Sequence, residues 1–217
     1  MRGAAPHGYG PVEMVIGDEF AWAHLPKTGG DTTRTLFESF PGLVLFADAG
    51  DVNAKHTTFH ERRGTVRGKL LAMNLRRLPA WVLSRAHHVA RDGVWPDFAP
   101  LPMPSVAELA QSTLPDERLE HFAFRGPLRV ERWLRVEHLR EDFLALVAEL
   151  TEVTPAQARR VRDLPALDVA VYDREPRNWF SEEQLARMYD RNPRWAALER
   201  ELYGELIVNP EELAITP

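Results

Sequence analysis

A short apolar run, Glu19-Phe-Ala-Trp-Ala-His24, stops at Pro26, Gly29 and Gly30, and Asp31, Thr32 and Thr33 then open a helical pattern lasting to Phe40. This order suits a buried strand entering a tight loop and returning at once as a helix. Asp and Thr are residue types that cap helix starts, and Pro41-Gly42 closes the helix. The alternation recurs along the chain. Leu43-Val-Leu-Phe-Ala47, Lys69-Leu-Leu-Ala-Met73 and Val130 to Val136 read as further strands. Helical patterns cover about Pro79 to Arg91, roughly 105–122, Glu137 to Leu150, Ser181 to Arg191 and Pro193 to Tyr203, with Ser181 and Gln184 spaced as a capping box. Strands alternating with helices predict an α/β fold, a central mostly parallel sheet flanked by helices.

The chain of 217 residues is sized for a single domain over 1–217, with residues 1–17 as a loose Gly/Pro/His-rich lead-in. Pro96, Pro100, Pro102 and Pro104, with Trp95 and Phe98, mark a loop, and 93–125 reads as a lid. A net charge of −5 argues against a nucleic-acid partner. The absence of cysteine excludes disulfide scaffolds, thiolate metal sites and cysteine nucleophiles. No stretch reaches the ~20 apolar residues of a membrane span, and the N-terminus lacks a signal-peptide core, so a cytoplasmic location is expected. Of 27 basic residues only Lys27, Lys55 and Lys69 are lysine.

Two segments have the chemistry of anion sites. In His24-Leu-Pro-Lys-Thr-Gly-Gly-Asp-Thr-Thr33, the glycines permit close backbone approach and the helix start offers N–H groups and a positive dipole. Lys27 adds a mobile charge, and Thr28, Thr32 and Thr33 add hydroxyl donors. The Gly-Lys-Ser/Thr order of a Walker A loop is absent. Taken alone, the segment supports an anion site or an ordinary strand-to-helix connection. In the second segment the strand from Lys69 runs into Arg76, whose guanidinium fork matches a phosphate, and Ser84 on the following helix adds a hydroxyl. Two such sites at the C-terminal ends of neighbouring parallel strands lie where open α/β sheets bind ligands.

Pro26-Lys27-Thr28-Gly29-Gly30 resembles the 5′-phosphosulfate loop of sulfotransferases that use 3′-phosphoadenosine 5′-phosphosulfate (PAPS), particularly their carbohydrate and bacterial branches. Arg76 to Ser84 is similar to the family's 3′-phosphate motif, Trp133 to Phe143 to its later strand-to-helix segment, and Asn178 to Gln184 to the stretch after its cofactor-covering loop. The likeness spans about residues 20–204 and implies the P-loop-like sulfotransferase fold. Asp31 departs from the usual small hydroxyl residue after the glycines, Leu78 stands where proline is frequent, and Trp81 where a basic residue is frequent. The late Arg-Lys-Gly of the cytosolic branch is absent, and neither Arg174 nor Arg177 is assigned its charge.

The resemblance implies sulfuryl transfer from PAPS to a hydroxyl or amine of a small-molecule or carbohydrate acceptor, without a metal. Lys27, Thr28, Gly29, Gly30, Thr32, Thr33, Arg76 and Ser84 are the expected PAPS-binding residues, with Lys27 also stabilising the leaving phosphate. His56 is the expected base, with His60 its rival, and Lys55 shares the charge on the transferring group. His87 and His88 follow the Arg/Ser helix and could line an acceptor pocket, against the reading of ordinary helix histidines, and His24 reads as a packed one. The 93–125 lid is expected to face the acceptor. The alternatives are a P-loop-like small-molecule kinase and a non-catalytic nucleotide-binding module.

Overall fold

The computed structural model describes residues 12–49, 57–91, 115–167 and 171–208. Five strands, β1 (Val12–Ile16), β2 (Phe20–Ala23), β3 (Phe46–Ala49), β4 (Leu70–Leu75) and β5 (Arg132–Arg135), form one sheet in the order β3-β1-β2-β4-β5. β2 pairs in parallel with β4, and β4 with β5, whereas β1 runs antiparallel to both β2 and β3. The sheet is therefore mixed rather than mostly parallel. The cause is β1, which lies inside the stretch expected to be a loose lead-in and returns as β2 through a tight turn at Gly17. Lys69 Nζ donates to the Gly17 carbonyl at 2.8 Å and to that of Asp18, pinning this turn to the start of β4.

Side-chain alternation along the strands builds two cores. Phe20 and Trp22 of β2 face α1 (Gly30–Phe37), α5 (Leu139–Leu150) and α6 (Pro155–Asp163), where Phe37 meets Phe20 at 5.4 Å and Phe143 at 4.8 Å between ring centroids. Ala21 and Ala23, with Leu71, Met73 and Leu75 of β4, face α3 (Leu78–Arg91), α4 (Pro115–Leu119), α7 (Glu182–Asp190) and α8 (Pro193–Tyr203). Strands covered on both faces read as near-continuous apolar runs, which is why β2 and β4 stand out in the sequence. α2 (Arg63–Val66) leads into β4.

Expected and observed bounds agree closely for α3 and α8, and the Ser181–Gln184 capping box is present. The third strand starts at Phe46 rather than Leu43, because the turn at Pro41-Gly42 holds Leu43 back through its N–H bond to the Phe40 carbonyl. α6 was not expected, although Thr154 and Gln157 give it a capping box. Of the expected lid, 93–114 lies outside the described residues. In its remainder, Asp116 accepts the backbone N–H groups of Arg194 and Trp195, which fixes α4 against α8. No helix among the described residues is long and apolar enough to cross a membrane.

Glu199, fully buried on α8, accepts the N–H of Leu78 at 2.7 Å and the Tyr189 hydroxyl at 2.8 Å, anchoring the start of α3. Burial pushes its carboxyl up to about 7. The folded chain therefore holds this proton more tightly than the unfolded chain does. The resulting stability is complete below pH 4.5 and is lost as pH rises through 7. At ~1.36 kcal/mol per pKa unit the loss reaches about 3 kcal/mol. Melting curves between pH 5 and 8 should show a steeper fall for the wild type than for Glu199→Gln; equal slopes would refute the assignment.

Candidate functional site

β2 and β4, parallel neighbours, both end at one cavity of about 900 Å³. From β2 the chain passes through Pro26, Lys27 and Gly29 into α1, and from β4 it passes through Arg76 and Arg77 into α3; these residues line the cavity. The connecting loop is strained in a specific way. Lys27 has φ of 69° and Gly29 has φ of 75°. A left-handed lysine costs ~1–2 kcal/mol, so the surroundings must hold it there.

Five consecutive carbonyls show how they do so. The Leu25 carbonyl accepts the Thr28 hydroxyl at 2.6 Å, that of Pro26 accepts Trp81 Nε1 at 2.8 Å, and that of Lys27 accepts Arg76 Nη1 at 3.3 Å. The Thr28 carbonyl accepts Asn74 Nδ2 at 2.7 Å, and the Gly29 carbonyl accepts the N–H and hydroxyl of Thr33. With every loop carbonyl occupied by a protein donor, the group left to meet a ligand is the N–H. The first N–H groups of α1 have no partner within the helix. Backbone in this alternating conformation forms a concavity for anions.

Gly30 is required by contact rather than by torsion. A Cβ there would lie 2.3 Å from the ring of His24, which is itself stacked on Trp22 at 5.5 Å between centroids. His24 is buried, as expected, and also borders the cavity.

Asn74 is the node behind the loop. Fully buried on β4, it accepts Trp22 Nε1 at 2.8 Å and donates both amide hydrogens, to the Thr28 carbonyl and to Thr33 Oγ1, each at 2.7 Å. A lone amide inside Leu70-Leu-Ala-Met-Asn-Leu75 is the signal that would have revealed it.

Among the expected ligand-binding residues, Lys27, Gly29, Gly30, Thr32, Arg76 and Ser84 meet at this cavity. Thr32 accepts the Leu167 N–H at 3.0 Å and keeps its own hydroxyl proton to give. The Thr28 and Thr33 hydroxyls are buried and donate to the Leu25 and Gly29 carbonyls, so these side chains shape the loop. Asp31 borders the cavity at the first turn of α1. Lys55 and His56 lie outside the described residues. His60 is exposed against Gly126 and is not among the residues lining the cavity. Arg174 borders the cavity, whereas Arg177 pairs with Glu182 at 3.2 Å away from it.

The lining carries seven cationic side chains, Lys27, Arg76, Arg77, Arg85, Arg118, Arg140 and Arg174, against the carboxylates Asp31 and Glu137. On a chain of net charge −5 this is a local inversion of sign, which concentrates anions in the cleft. Arg77 is committed to the frame, 3.6 Å from Glu199 and stacked over Tyr203 at 4.6 Å. Arg140 donates to the Leu164 carbonyl. Glu137, on the turn after β5, accepts the Tyr203 hydroxyl, which ties that corner to α8.

His87 is more than an ordinary helix histidine. Its ring stacks on Tyr172 at 4.2 Å and meets Trp179 edge-on at 5.0 Å, and it borders the cavity. Burial holds its pKa below the usual imidazole value, which favours the neutral ring. No local pattern in the sequence reports a stack assembled from such distant segments. The chain matches no protein-family model, no curated protein and no solved structure.

Proposed function

We propose that this chain is a cytoplasmic PAPS-dependent sulfotransferase of the P-loop-like fold. The observation that carries the reading is the loop 25–29, whose carbonyls are all drawn into the protein beside a left-handed Lys27. A loop stripped of acceptors offers only donors, and beside a cationic Lys27 these suit an anion's oxygens best. The lining fits a donor with two anionic ends: Lys27 and the start of α1 suit a phosphosulfate, and Arg76 with Ser84 suits a 3′-phosphate. PAPS supplies a sulfuryl group, leaving as adenosine 3′,5′-bisphosphate when the acceptor oxygen bonds to sulfur and the bond from sulfur to the 5′-phosphate oxygen breaks.

The protein's part is positional and electrostatic. Lys27 and the α1 N–H groups stabilise the charge that develops on the departing phosphate oxygen. His56 receives the acceptor's proton and Lys55 neutralises charge on the group in transit, as the sequence resemblance implies. Calorimetric titration tests the reading. Adenosine 3′,5′-bisphosphate should bind, with magnesium ATP at least about tenfold weaker, a difference of ~1.4 kcal/mol. Tight magnesium ATP binding without bisphosphate binding would replace it with the kinase reading. Bisphosphate binding without transfer of labelled sulfate to a panel of hydroxyl and amine acceptors would leave a nucleotide-binding module.

A further inference from the structure

Among the described residues, two of the cavity's arginines have neither a hydrogen bond nor an ion pair. These are Arg85 on α3 and Arg118 on α4. Arg85 is half-buried, and burial together with the Arg118 charge depresses its pKa, so the two guanidiniums repel each other. Neither element can retreat. α3 is bound at its start by Glu199, and α4 is bound to α8 through Asp116.

The cavity's own carboxylates do not relieve the pair, since Asp31 sits at the start of α1 and Glu137 holds Tyr203. Arg85 follows Ser84 directly, yet successive helix residues point ~100° apart. Arg85 therefore stands one turn beyond Trp81, on the side of α3 that packs against Trp195 of α8. The pair borders the same cavity as the loop and Arg76, with Arg85 one turn further along α3 than Trp81, whose indole holds the Pro26 carbonyl.

We infer that Arg85 and Arg118 form a second oxyanion site, one that takes a carboxylate, sulfate or phosphate group carried by the acceptor. The inference rests on the sulfotransferase reading, in which the nucleotide's two anionic ends already have partners. An oxyanion held between two guanidinium forks accepts charge-assisted hydrogen bonds from both and converts their repulsion into attraction. A cavity of about 900 Å³ leaves room for such a group beside the nucleotide. The acceptor class is accordingly an anionic small molecule or an acidic saccharide.

Inorganic sulfate is the probe. Protein saturated with adenosine 3′,5′-bisphosphate should bind one further sulfate, and Arg85→Gln and Arg118→Gln should each weaken it by about tenfold or more, as loss of a charge-assisted bond implies. Glucuronate should compete for the site and glucose should not. Bisphosphate affinity should stay within about threefold of the wild type. Without anions at low salt, Arg118→Gln should melt above the wild type, since repulsion is relieved. Absence of a further sulfate site overturns the inference. So does a tenfold loss of bisphosphate affinity in the two variants, which would give these arginines to the nucleotide. Failure of the bisphosphate to bind wild-type protein would sink the sulfotransferase reading instead. Sulfate titration of the free protein then decides the arginine site alone: Lys27→Ala should retain a sulfate that the double variant Arg85→Gln/Arg118→Gln loses.

Discussion

Lys27→Ala should lower sulfuryl transfer ~10²–10³-fold, the usual cost of removing one donor from a developing oxyanion. The side chain springs from the only non-glycine residue with positive φ among the described residues, at the mouth of a loop whose carbonyls are held inward. That strain allows catalysis and folding to be separated. Alanine keeps the unfavourable left-handed backbone, whereas glycine adopts it freely. Lys27→Gly should therefore be more stable than Lys27→Ala by about 1 kcal/mol, part of the strain relief being offset by the entropy of the unfolded chain. Both variants should be equally inactive. A glycine variant that melts below the alanine variant would mean that the loop's conformation is not imposed from outside. Retained turnover in either would remove Lys27 from the chemistry.

The legible parts of this molecule are those in which neighbours in sequence decide the outcome. Phe20 to Ala23, the glycine turn and α1 follow one another with their own breakers and first-turn residues, and β4 leads to Arg76 and α3 in the same way. The cavity's principal residues, Lys27, Gly30, Arg76 and Ser84, come from those two passages. Illegible parts depend on partners that are remote in sequence. Whether Thr28 points its hydroxyl at a ligand is decided by the Leu25 carbonyl, Asn74 and Trp81 acting together, and no spacing rule reports that. Trp81 reads as a departure from a basic position, yet its indole N–H takes the Pro26 carbonyl out of an anion's path. β1 was missed because its apolar run follows a Gly/Pro-rich stretch, and one antiparallel strand was enough to make the sheet mixed. The cationic cavity was hidden because a global charge of −5 averages over the arginines that converge there.

Asn74→Leu should be the most destabilising single change at the site. Leucine has the branched outline of asparagine, is bulkier, and offers neither donor nor acceptor, so the Trp22 indole N–H and the Thr28 carbonyl lose partners inside a buried layer. Each buried group left unsatisfied costs ~1–3 kcal/mol. Thr33 Oγ1 keeps its bond to the Gly29 carbonyl and adds less. The sum, about 2–6 kcal/mol, is a large part of an ordinary domain's stability. It should lower the melting temperature by about 5–20 °C for a chain of this size. The functional loss should exceed what stability predicts. A Thr28 carbonyl released from Asn74 finds its nearest solvation in the cavity, where its dipole would face the incoming anion. Bisphosphate affinity measured well below the melting point should then fall by about tenfold or more. Asn74→Asp separates the two effects: its carboxylate still accepts the Trp22 N–H but donates to neither Thr28 nor Thr33, so the loop should open although the indole remains bonded. If Asn74→Asp binds bisphosphate as tightly as the wild type, the inward carbonyls are not what makes this loop an anion site.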